Sequence, residues 1–330
     1  MNETADKIKK EIDKAQSILL HCHPSPDPDS VGSTLAMKLA LESLGKKVTL
    51  IKGDSDISKA FVFPGVETVT QKNFFEIKLS DFDLFLILDS GSIEMISRKG
   101  EVIFPDSLTT VVIDHHATNG GYGKINLVDT SYSSTAQLVF DLLNQWNIEI
   151  NHDIALNLFM GMYTDTGGFR YGIKPEKTLE VAMTLAKLAP DYQKTIFVME
   201  NNNRIESLIF ESLALASLKT FFDGKLALVS VCNVDIVKNK FTNDDIFTGY
   251  ISNKIKSVIG TQIAVTLIEK EPNVVKLSFR TRDVVKYDVS KLALALGGGG
   301  HKAAAGATLE MSLPEAIEKV VKTVKELYNI

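Results

Sequence analysis

The sequence Val111-Val112-Ile113-Asp114-His115-His116 joins a short apolar run to three side chains that can bind a metal ion. The same order occurs twice earlier in the chain, where the mainly apolar residues 17–20 precede His23 and the apolar residues 84–88 precede Asp89. Short runs that are almost wholly apolar are typical of strands buried on both faces of a parallel sheet. Ligands of such sheets bind beyond the carboxyl ends of the strands. The sequence therefore predicts an α/β fold with metal-seeking groups gathered at one edge of the sheet.

Acidic side chains dominate the polar groups that are predicted at this edge. Carboxylates that are crowded together and removed from water repel one another unless a cation lies among them. The candidate ligands are His23, Asp27, Asp29, Asp89, His115 and Asp165. Oxygen and nitrogen ligands without thiolates suit Mn(II), with Mg(II), Co(II) or Fe(II) as weaker candidates, whereas a structural zinc site more often contains cysteine. The residues therefore predict a metal site, and we expect it to hold two metal ions.

Each of these patterns also has a structural explanation. An Asp-x-Asp sequence such as 27–29 usually forms a turn or a helix cap, and a lone aspartate after a strand, such as Asp89, more often caps the next helix. Asp-His-His after a buried strand is rarer, and Asp165 shares a predicted helical face with apolar residues, where an unpaired charge is costly. The concurrence of these elements favours the metal site. The residues expected to be structural are His21, Cys22 and His152.

The composition is that of an ordinary soluble enzyme, with 45% hydrophobic and 23% charged residues in a chain of 330. A chain of this length can form two domains with separate cores. Its net charge of −5 argues against a protein that coats polyanions such as long duplex nucleic acid. Cys22 and Cys232 lack the spacing of a metal site or of a disulfide framework. The polar N-terminus and the absence of a long apolar stretch predict a cytoplasmic protein that has no membrane partner.

The order of the segments predicts two domains. Residues 1–190 alternate strand-like and helix-like segments, as in an α/β domain with a mostly parallel sheet, and one helix is predicted over Ser33–Leu44, before Gly45. Residues 191–222 are expected to be a linker, and its flanking segments indicate that it is helical. Residues 223–330 contain longer alternating strands, a helix, a glycine run and a final helix, which predicts a smaller α/β domain that binds substrate.

The second domain contains the glycine run Gly297–Gly300, which is followed by His301. Glycines let the backbone approach a ligand closely and turn several N–H groups toward an anion. The alternative to such an anion-binding role is that the glycine run is a flexible loop that caps the helix ending near Leu296. Between residues 274 and 302 there are six lysines and arginines against two aspartates. This local excess of positive charge favours a phosphate-bearing ligand, which Arg280 at a strand end can bind bidentately.

The metal-seeking sequences resemble the four motifs of the DHH phosphoesterases, in the same order along the chain. The corresponding residues are His23–Asp29, Asp89, Asp114–His116 and Thr164–Gly167. Gly297–His301 and the following Ala304–Gly306 resemble the first type of DHH-associated C-terminal domain, which accompanies phosphoesterases of short oligonucleotides and nucleotides. The resemblance spans nearly the whole chain. It departs from the family where Pro28-Asp29-Ser30 replaces Gly-Asp-Ala, although the spacing of the ligands is preserved.

The resemblance implies a site for two Mn(II) ions in each chain. One ion would be held by His23, Asp27 and Asp89. The other would be held by Asp29, Asp89, His115 and Asp165, so that Asp89 bridges both ions. The further catalytic residues would be Asp114, which orients an imidazole, and His116, which contacts a phosphate oxygen or the leaving group. The groups expected to bind substrate are Arg280, His301, Gly298, Gly299 and Gly300, with a weaker role for Arg98, the nearest arginine after the second motif.

The activity that the resemblance implies is manganese-dependent hydrolysis of very short oligoribonucleotides to mononucleotides, and of 3′-phosphoadenosine 5′-phosphate to AMP. Hydrolysis of cyclic dinucleotides or of their linear products is the alternative within the same chemistry. A pyrophosphatase is disfavoured because the related pyrophosphatases lack the Gly-Gly-Gly-Gly-His sequence. A catalytically inactive nucleotide-binding regulator is the alternative of another class, but it would not need a bridging carboxylate. Short RNA or a phosphorylated nucleotide is thus the expected partner, and a homodimer is left open.

Overall fold

The computed structural model describes residues 2–246 and 248–330, which form two compact units. The first unit spans Met1–Asn202 and the second spans Asn203–Ile330. The division falls inside residues 191–222, where the sequence places a linker, and the exact domain ranges remain a proposal. None of the described helices is long and apolar enough to cross a membrane.

A five-stranded parallel sheet forms the centre of the first unit, with the strand order β2-β1-β3-β4-β5. Its strands are β1 (Ser17–His21), β2 (Lys47–Ile51), β3 (Leu84–Leu88), β4 (Thr109–Asp114) and β5 (Ile125–Val128). Its α-helices are α1 (Asn2–Lys14), α2 (Pro28–Ser43), α3 (Thr135–Gln145), α4 (His152–Asp165), α5 (Pro175–Leu188) and α6 (Tyr192–Glu200). Short 3₁₀ helices lie at Val66–Thr68, Phe74–Glu76, Leu79–Asp81 and Ile93–Met95. The predicted α/β class with a parallel sheet is confirmed.

The central strand β3 is buried at every position. Leu84, Leu86 and Leu88 pack into one apolar cluster with residues of α2 and α4, whereas Phe85 and Ile87 pack into a second cluster. Alternate side chains of a strand point to opposite faces, so both faces of this strand are covered. This is why its sequence is apolar throughout instead of alternating with polar residues.

Helix α2 begins at Pro28, earlier than the helix predicted from Ser33. The Oδ1 atom of Asp27 accepts the Ser30 N–H at 2.9 Å and so caps the helix, and proline suits the first helical position. Nearly all residues from Asp29 to Leu41 are buried, so the helix has no polar face that would reveal its start in the sequence. As a result, Asp29 lies in the first turn of α2 and not in a loop.

Helices α2 and α4 approach each other closely, and glycine permits the contact on both sides. A Cβ atom on Gly32 of α2 would lie 2.4 Å from the backbone oxygen of Asn157 in α4. A Cβ atom on Gly161 of α4 would lie 2.8 Å from Oδ1 of Asp29. Both separations are shorter than non-bonded atoms tolerate. The two glycines therefore set how close the Asp29 carboxylate lies to α4.

The second unit contains a six-stranded sheet with the order β10-β11-β9-β8-β7-β6. Strands β7 and β8 are parallel, and the other neighbouring pairs are antiparallel. The strands are β6 (Lys219–Phe221), β7 (Leu226–Val231), β8 (Ile263–Glu271), β9 (Val274–Thr281), β10 (Gly299–Gly300) and β11 (Ala304–Glu310). The helices are α7 (Ile205–Ala216), α8 (Asn233–Asn239), α9 (Thr248–Lys256), α10 (Val289–Ala295) and α11 (Leu313–Tyr328), with a short 3₁₀ helix at Asn243–Asp245. The predicted second α/β domain is confirmed as a separate sheet with its own helices.

Candidate metal centre

The carboxyl ends of β1, β3 and β4 lie at the same edge of the parallel sheet, and the predicted metal ligands gather there. Among the residues that the structure describes, ligand atoms that lie within 4.8 Å of one another form three groups of side chains. These groups are His23 with Asp27 and Asp89, Asp29 with His115 and Asp165, and Asp89 with His115 and His116. The fold therefore brings together all six residues that were predicted as ligands, although they come from four separate segments of the chain.

The buried carboxylate of Asp89 faces two of these groups at once. Its Oδ2 atom lies 4.0 Å from Nε2 of His23, and its Oδ1 atom lies 3.8 Å from Nε2 of His115. Each imidazole has a second carboxylate beside it. Nε2 of His23 lies 3.3 Å from Oδ2 of Asp27, and Nε2 of His115 lies 3.4 Å from Oδ2 of Asp165. Asp89 is thus the shared member of two adjacent sets of oxygen and nitrogen atoms.

The backbone of Asp89 is held in an unfavourable conformation. Its φ angle of 53° lies in the left-handed region, which residues other than glycine seldom occupy. The next carbonyl, Ser90 O, accepts hydrogen bonds from Nδ2 of Asn119 at 3.1 Å and from the hydroxyl of Tyr122 at 2.9 Å. Nδ2 of Asn119 also donates to Oδ2 of Asp114 at 2.7 Å. These two supporting residues could not be predicted from the sequence, because nothing in their local sequence distinguishes them from loop residues.

The carboxylate of Asp29 lies at the N-terminus of helix α3. Its Oδ2 atom accepts the backbone N–H of Thr135 at 2.7 Å, and its Oδ1 atom accepts that of Ala136 at 2.9 Å. The first N–H groups of a helix have no partner within the helix and attract negative charge. The hydroxyl of Thr135 donates to Oδ1 of Asp89 at 2.9 Å. Thr135 therefore links two predicted ligands, a role that the sequence alone did not indicate.

Asp114 is fully buried and holds the neighbouring histidines. Its Oδ1 atom accepts the backbone N–H of His115 at 2.9 Å and lies 2.8 Å from Nδ1 of His116. Burial disfavours the charged carboxylate, but the hydrogen bonds from His116 and Asn119 outweigh it and keep the pKa of Asp114 below its usual range. The same hydrogen bond raises the pKa of His116 to about 9. Near neutral pH the structure thus places a cationic His116 imidazole beside the acidic cluster.

The electrostatics of the cluster favour a bound cation. Burial and the nearby charges of Asp89 and Asp165 raise the pKa of Asp29 well above its usual range. Burial, followed by the charge of Asp27, raises the pKa of Asp89 to about 6, and burial also raises the pKa of Asp165 to about 6. Carboxylates respond in this way when like charges are crowded without compensation. Oxygen donors with two imidazoles fit Mn(II) or a similar divalent ion, and a divalent ion would remove this repulsion.

One consequence is a pH-dependent stability of the metal-free protein. Folding raises the pKa of His116 from 6.5 to about 9, so the folded chain keeps a proton that the unfolded chain releases in this range. The stabilisation that the His116 proton gives to the folded protein is complete below the pKa of His116 in the unfolded chain. It is lost as the pH rises through the pKa of His116 in the folded chain. Because His116 is partly exposed, we expect a loss of ~1 kcal/mol after screening. Thermal unfolding in EDTA between pH 6.5 and about pH 9 measures this loss, and a His116→Ala variant with the same pH dependence as the wild type would contradict the assignment.

Arg98 lies on the surface of the first unit. Its backbone N–H donates to Oδ2 of Asp54 at 2.7 Å, and its Nη2 atom lies 3.4 Å from the sulfur of Met95. These contacts fix the backbone at this position and rest the guanidinium on a neighbouring side chain. They do not connect Arg98 to the acidic cluster, so its role in substrate binding remains a prediction.

In the second unit, strand β11 lies between the strand of Arg280 and the strand formed by Gly299 and Gly300. Arg280 of β9 pairs with Ala304 of β11, which pairs in turn with β10. The guanidinium is partly buried, and its Nη1 atom donates to the carbonyl of Phe279 at 2.9 Å. Burial lowers the pKa of Arg280 from its usual value. His301 is exposed in the turn between β10 and β11, where its backbone N–H donates to Ala304 O at 2.8 Å.

The glycines of the run have different structural roles. The N–H of Gly297, with φ of 78°, donates to Leu294 O, and the N–H of Gly298 donates to Ala293 O. This pair of hydrogen bonds closes the C-terminal end of α10 as a Schellman motif. The N–H of Gly298 is therefore hydrogen-bonded to the end of the helix, as expected if the glycine run forms a loop that caps it. Gly299 and Gly300 form the exposed strand β10 beyond the helix end, and an anion-binding role for these glycines remains a prediction.

Comparison with known proteins places both units in recognised families. Residues 17–162 match the DHH family, N-terminal domain, and residues 227–329 match the DHHA1 domain. The chain is 31% identical over 315 residues to the bifunctional oligoribonuclease and PAP phosphatase NrnA of Thermus thermophilus, covering 94% of this chain and 89% of the relative. It is 24% identical to the protein of the same name from Bacillus subtilis, with 92% of each chain covered.

Solved structures show the same fold at lower sequence identity. An exopolyphosphatase-related protein from Bacteroides fragilis matches with a TM-score of 0.90 and 22% identity, covering 100% of this chain and 97% of that one. RecJ from Thermus thermophilus in complex with Mn²⁺ matches with a TM-score of 0.57 and 13% identity, covering 99% of this chain and 54% of that one. At these low sequence identities, the structural similarity establishes only that the fold is shared.

Proposed function

This chain belongs to the DHH family, and from that membership we propose that it is a manganese-dependent phosphoesterase that degrades very short oligoribonucleotides to mononucleotides. It hydrolyses phosphoester bonds, as its family does. The proposal extends to 3′-phosphoadenosine 5′-phosphate, from which it would release AMP. The names of the Thermus and Bacillus relatives support both substrates. The domain ranges proposed with this function are residues 1–190 for catalysis, 191–222 for the linker and 223–330 for substrate binding.

The observation that carries the proposal is the position of Asp89 between two sets of ligand atoms. One oxygen faces His23 and the other faces His115, which supports one metal ion on each side of a bridging carboxylate. In this assignment, one ion would be held by His23, Asp27 and Asp89, and the other would be held by Asp29, Asp89, His115 and Asp165. Two such ions would activate a water molecule and neutralise charge on the phosphoryl oxygens. Mn(II) is the proposed ion, with Mg(II) or Co(II) as substitutes.

The chain's own residues prepare the site for this chemistry. The N–H groups of Thr135 and Ala136 hold the Asp29 carboxylate in one orientation, so it does not have to be ordered during binding. Nδ1 of His116 lies 2.8 Å from Oδ1 of Asp114, and this hydrogen bond is the main cause of the raised pKa of the ring in the metal-free protein. We assign its Nε2–H to a phosphate oxygen or to the leaving-group oxygen, where a positive charge stabilises the developing negative charge.

The second unit is proposed to bind the part of the substrate that does not react. Arg280 offers a planar guanidinium that can bind a phosphate with two parallel hydrogen bonds. Its partial burial strengthens such a bond because water competes less for the charge. His301 and the backbone of Gly299 and Gly300 are exposed at the neighbouring turn and are assigned to the same phosphate-bearing ligand.

A panel of substrates tests the proposal directly. Purified protein with added Mn(II) should release mononucleotides from dinucleotides and AMP from 3′-phosphoadenosine 5′-phosphate, and long RNA should be a poor substrate. The same protein in EDTA should be inactive. Faster turnover of a cyclic dinucleotide than of any linear one would favour the alternative phosphodiesterase activity. Binding of nucleotides without turnover of any substrate would instead favour the regulator.

The tandem histidines should respond differently to substitution. His115→Ala should weaken metal binding because it removes a proposed ligand, whereas His116→Ala should lower kcat with the metal content largely intact. Loss of one ligand or of its support commonly costs about 10–100-fold in affinity. Metal analysis of the two purified variants, together with kinetics at saturating Mn(II), measures both effects. Equal loss of metal from the two variants would show that their roles are assigned wrongly.

A further inference from the structure

The loop that follows Asp165 is held in one conformation by hydrogen bonds. The side-chain oxygen of Thr166 accepts the N–H of Phe169 at 3.0 Å. The carbonyl oxygen of Thr166 accepts the N–H groups of Arg170 at 3.0 Å and of Tyr171 at 2.9 Å. Thr166 is itself buried, and it directly follows a predicted ligand of the metal centre. The start of this loop is therefore rigidly connected to the site.

The far end of the same loop is fixed to the segment that leads into α3. The hydroxyl of Ser133 donates to the carbonyl of Ile173 and accepts the N–H of Ile173, both at 2.9 Å. Ser133 lies two residues before Thr135, whose N–H holds the Asp29 carboxylate. Both ends of the loop are thus anchored on elements that build the acidic cluster. Residues 166–173 consequently lie at the rim of the metal centre within the first unit.

An unusual backbone turns this loop so that an aromatic ring packs on the glycine that lies two residues after Asp165. Gly167, Gly168 and Phe169 have φ angles of 59°, 72° and 62°, and for phenylalanine this left-handed conformation is unfavourable. The turn brings the Tyr171 ring against Gly167, where a Cβ atom would lie only 2.8 Å from the ring carbon Cδ2. Gly167 is two residues after Asp165. The ring therefore packs on the start of the loop, directly after the last predicted ligand.

The outer surface of the loop combines an exposed ring with an exposed cation. The Tyr171 residue is 64% exposed although its ring rests on Gly167, and the neighbouring Arg170 is also exposed. Nε of Arg170 donates to the carbonyl of Gly167 at 2.5 Å, which orients the guanidinium at the same turn. Single exposed aromatic residues are common on protein surfaces. This one differs because its loop is anchored at both ends and adjoins a predicted metal ligand.

We propose that Tyr171 and Arg170 form a nucleoside platform at the rim of the metal centre, and this inference rests on the proposed function. The base of the nucleotide whose phosphate reacts would stack on the Tyr171 ring. The guanidinium of Arg170 would contact the phosphate or the ribose of the same nucleotide. Every base has a flat aromatic face, so stacking binds single-stranded nucleotides with little sequence preference. The platform would let the enzyme accept short RNA of any sequence and still require a nucleobase.

Hydrolysis of abasic substrates tests the platform. Wild-type protein should cleave a dinucleotide with a kcat/KM about 5–150-fold above that of the same compound lacking one base, the range expected for one base stacked on an aromatic ring. Tyr171→Ala should lower kcat/KM for the complete dinucleotide by that factor and leave the abasic compound within about twofold of wild type. Tyr171→Phe, which retains the ring, should resemble the wild type. Equal effects of Tyr171→Ala on both compounds would overturn the proposal.

Binding of products provides a readout that does not depend on turnover. In calorimetric titrations, wild-type protein with Mn(II) should bind AMP more tightly than ribose 5-phosphate, and Tyr171→Ala should remove this difference. Equal affinity of the wild type for the two compounds would overturn the platform even if the protein proved not to be a phosphoesterase. Conversely, base-dependent binding without hydrolysis would reject the proposed function and keep the platform.

Two controls separate stacking from damage to the loop. Phe197→Ala removes an aromatic side chain of almost the same exposure, 65%, from helix α6, and it should change neither the base preference nor the activity. Metal content and thermal stability of Tyr171→Ala should equal those of the wild type. If metal were lost, Tyr171→Leu would replace Tyr171→Ala, because a bulky aliphatic side chain can cover Gly167 without offering an aromatic face. A Leu variant with wild-type base preference would overturn the proposal.

Discussion

Replacing Asp89 with asparagine should lower turnover by roughly a thousandfold or more at saturating Mn(II). Asparagine keeps the size of the side chain but removes the negative charge that two metal ions would share. The metal-free variant should still fold, because loss of a buried carboxylate that is crowded by Asp27 and Asp114 relieves repulsion. The stabilisation that Mn(II) gives to the folded protein should shrink, since at a fixed ligand concentration a weaker affinity gives a smaller stabilisation.

Steady-state kinetics and thermal unfolding with and without Mn(II) measure these effects. Asp106→Asn is a matched control, because it neutralises an exposed aspartate of the first unit that lies outside the acidic cluster. It should retain wild-type activity and the full stabilisation by Mn(II). Near-normal turnover of Asp89→Asn would contradict the assignment of a bridging carboxylate between two ions.

Replacing Arg280 with alanine should lower kcat/KM for a dinucleotide, because about 2–4 kcal/mol of transition-state stabilisation should be lost. A loss of this size is expected when a hydrogen bond to a charged group is removed from a site that contains little water. Binding energy from a part of the substrate that does not react is used to align the reacting phosphate, so kcat should fall as well as affinity. A small ester such as bis-p-nitrophenyl phosphate offers no second phosphate and should be affected much less. Because a remote phosphate must be bound, substrates of about two to five nucleotides should be preferred.

Arg282→Ala is the matched control for this variant. Arg282 lies just beyond the same strand, is exposed, and donates through Nη1 to the backbone oxygen of Val258. Its loss should leave the ratio of dinucleotide to model-ester hydrolysis unchanged. The decisive quantity is this ratio in Arg280→Ala and in His301→Ala. If both variants lower the two rates equally, the second unit does not bind the remote phosphate and the length preference has another origin.

The parallel sheet and the position of its ligands could be predicted because both depend on short-range sequence patterns. A strand that is covered on both faces, such as Leu84–Leu88, is apolar throughout, and that run is visible without any tertiary information. Parallel strands end at one edge, so a polar residue directly after each run must lie near the others. Such a pattern predicts that His23, Asp89 and His115 gather at this edge, and in the structure the carboxylate of Asp89 lies 4.0 Å from Nε2 of His23 and 3.8 Å from Nε2 of His115.

The start of helix α2 and the environment of Asp29 could not be predicted in the same way. Apolar spacing reveals a helix only when one face is polar, and α2 is buried around most of its circumference. The predicted helix therefore began at Ser33, whereas the Asp27 cap starts it at Pro28. Asp29 then meets the N-terminus of α3 more than a hundred residues away in sequence. No local pattern encodes such a contact.

The sequence by itself predicted the fold class and the side chains that gather in the acidic cluster, because both follow from local composition and spacing, and its motifs carried the resemblance to the family. Only the tertiary structure decided how those side chains are supported. Asp89 has a left-handed backbone, and the carbonyl of the next residue, Ser90, accepts a hydrogen bond from Asn119. This bond and the contacts of Thr135 with Asp29 and Asp89 join segments that are distant in the chain. Their geometry depends on packing, such as the close approach at Gly161, and packing is a property of the assembled fold.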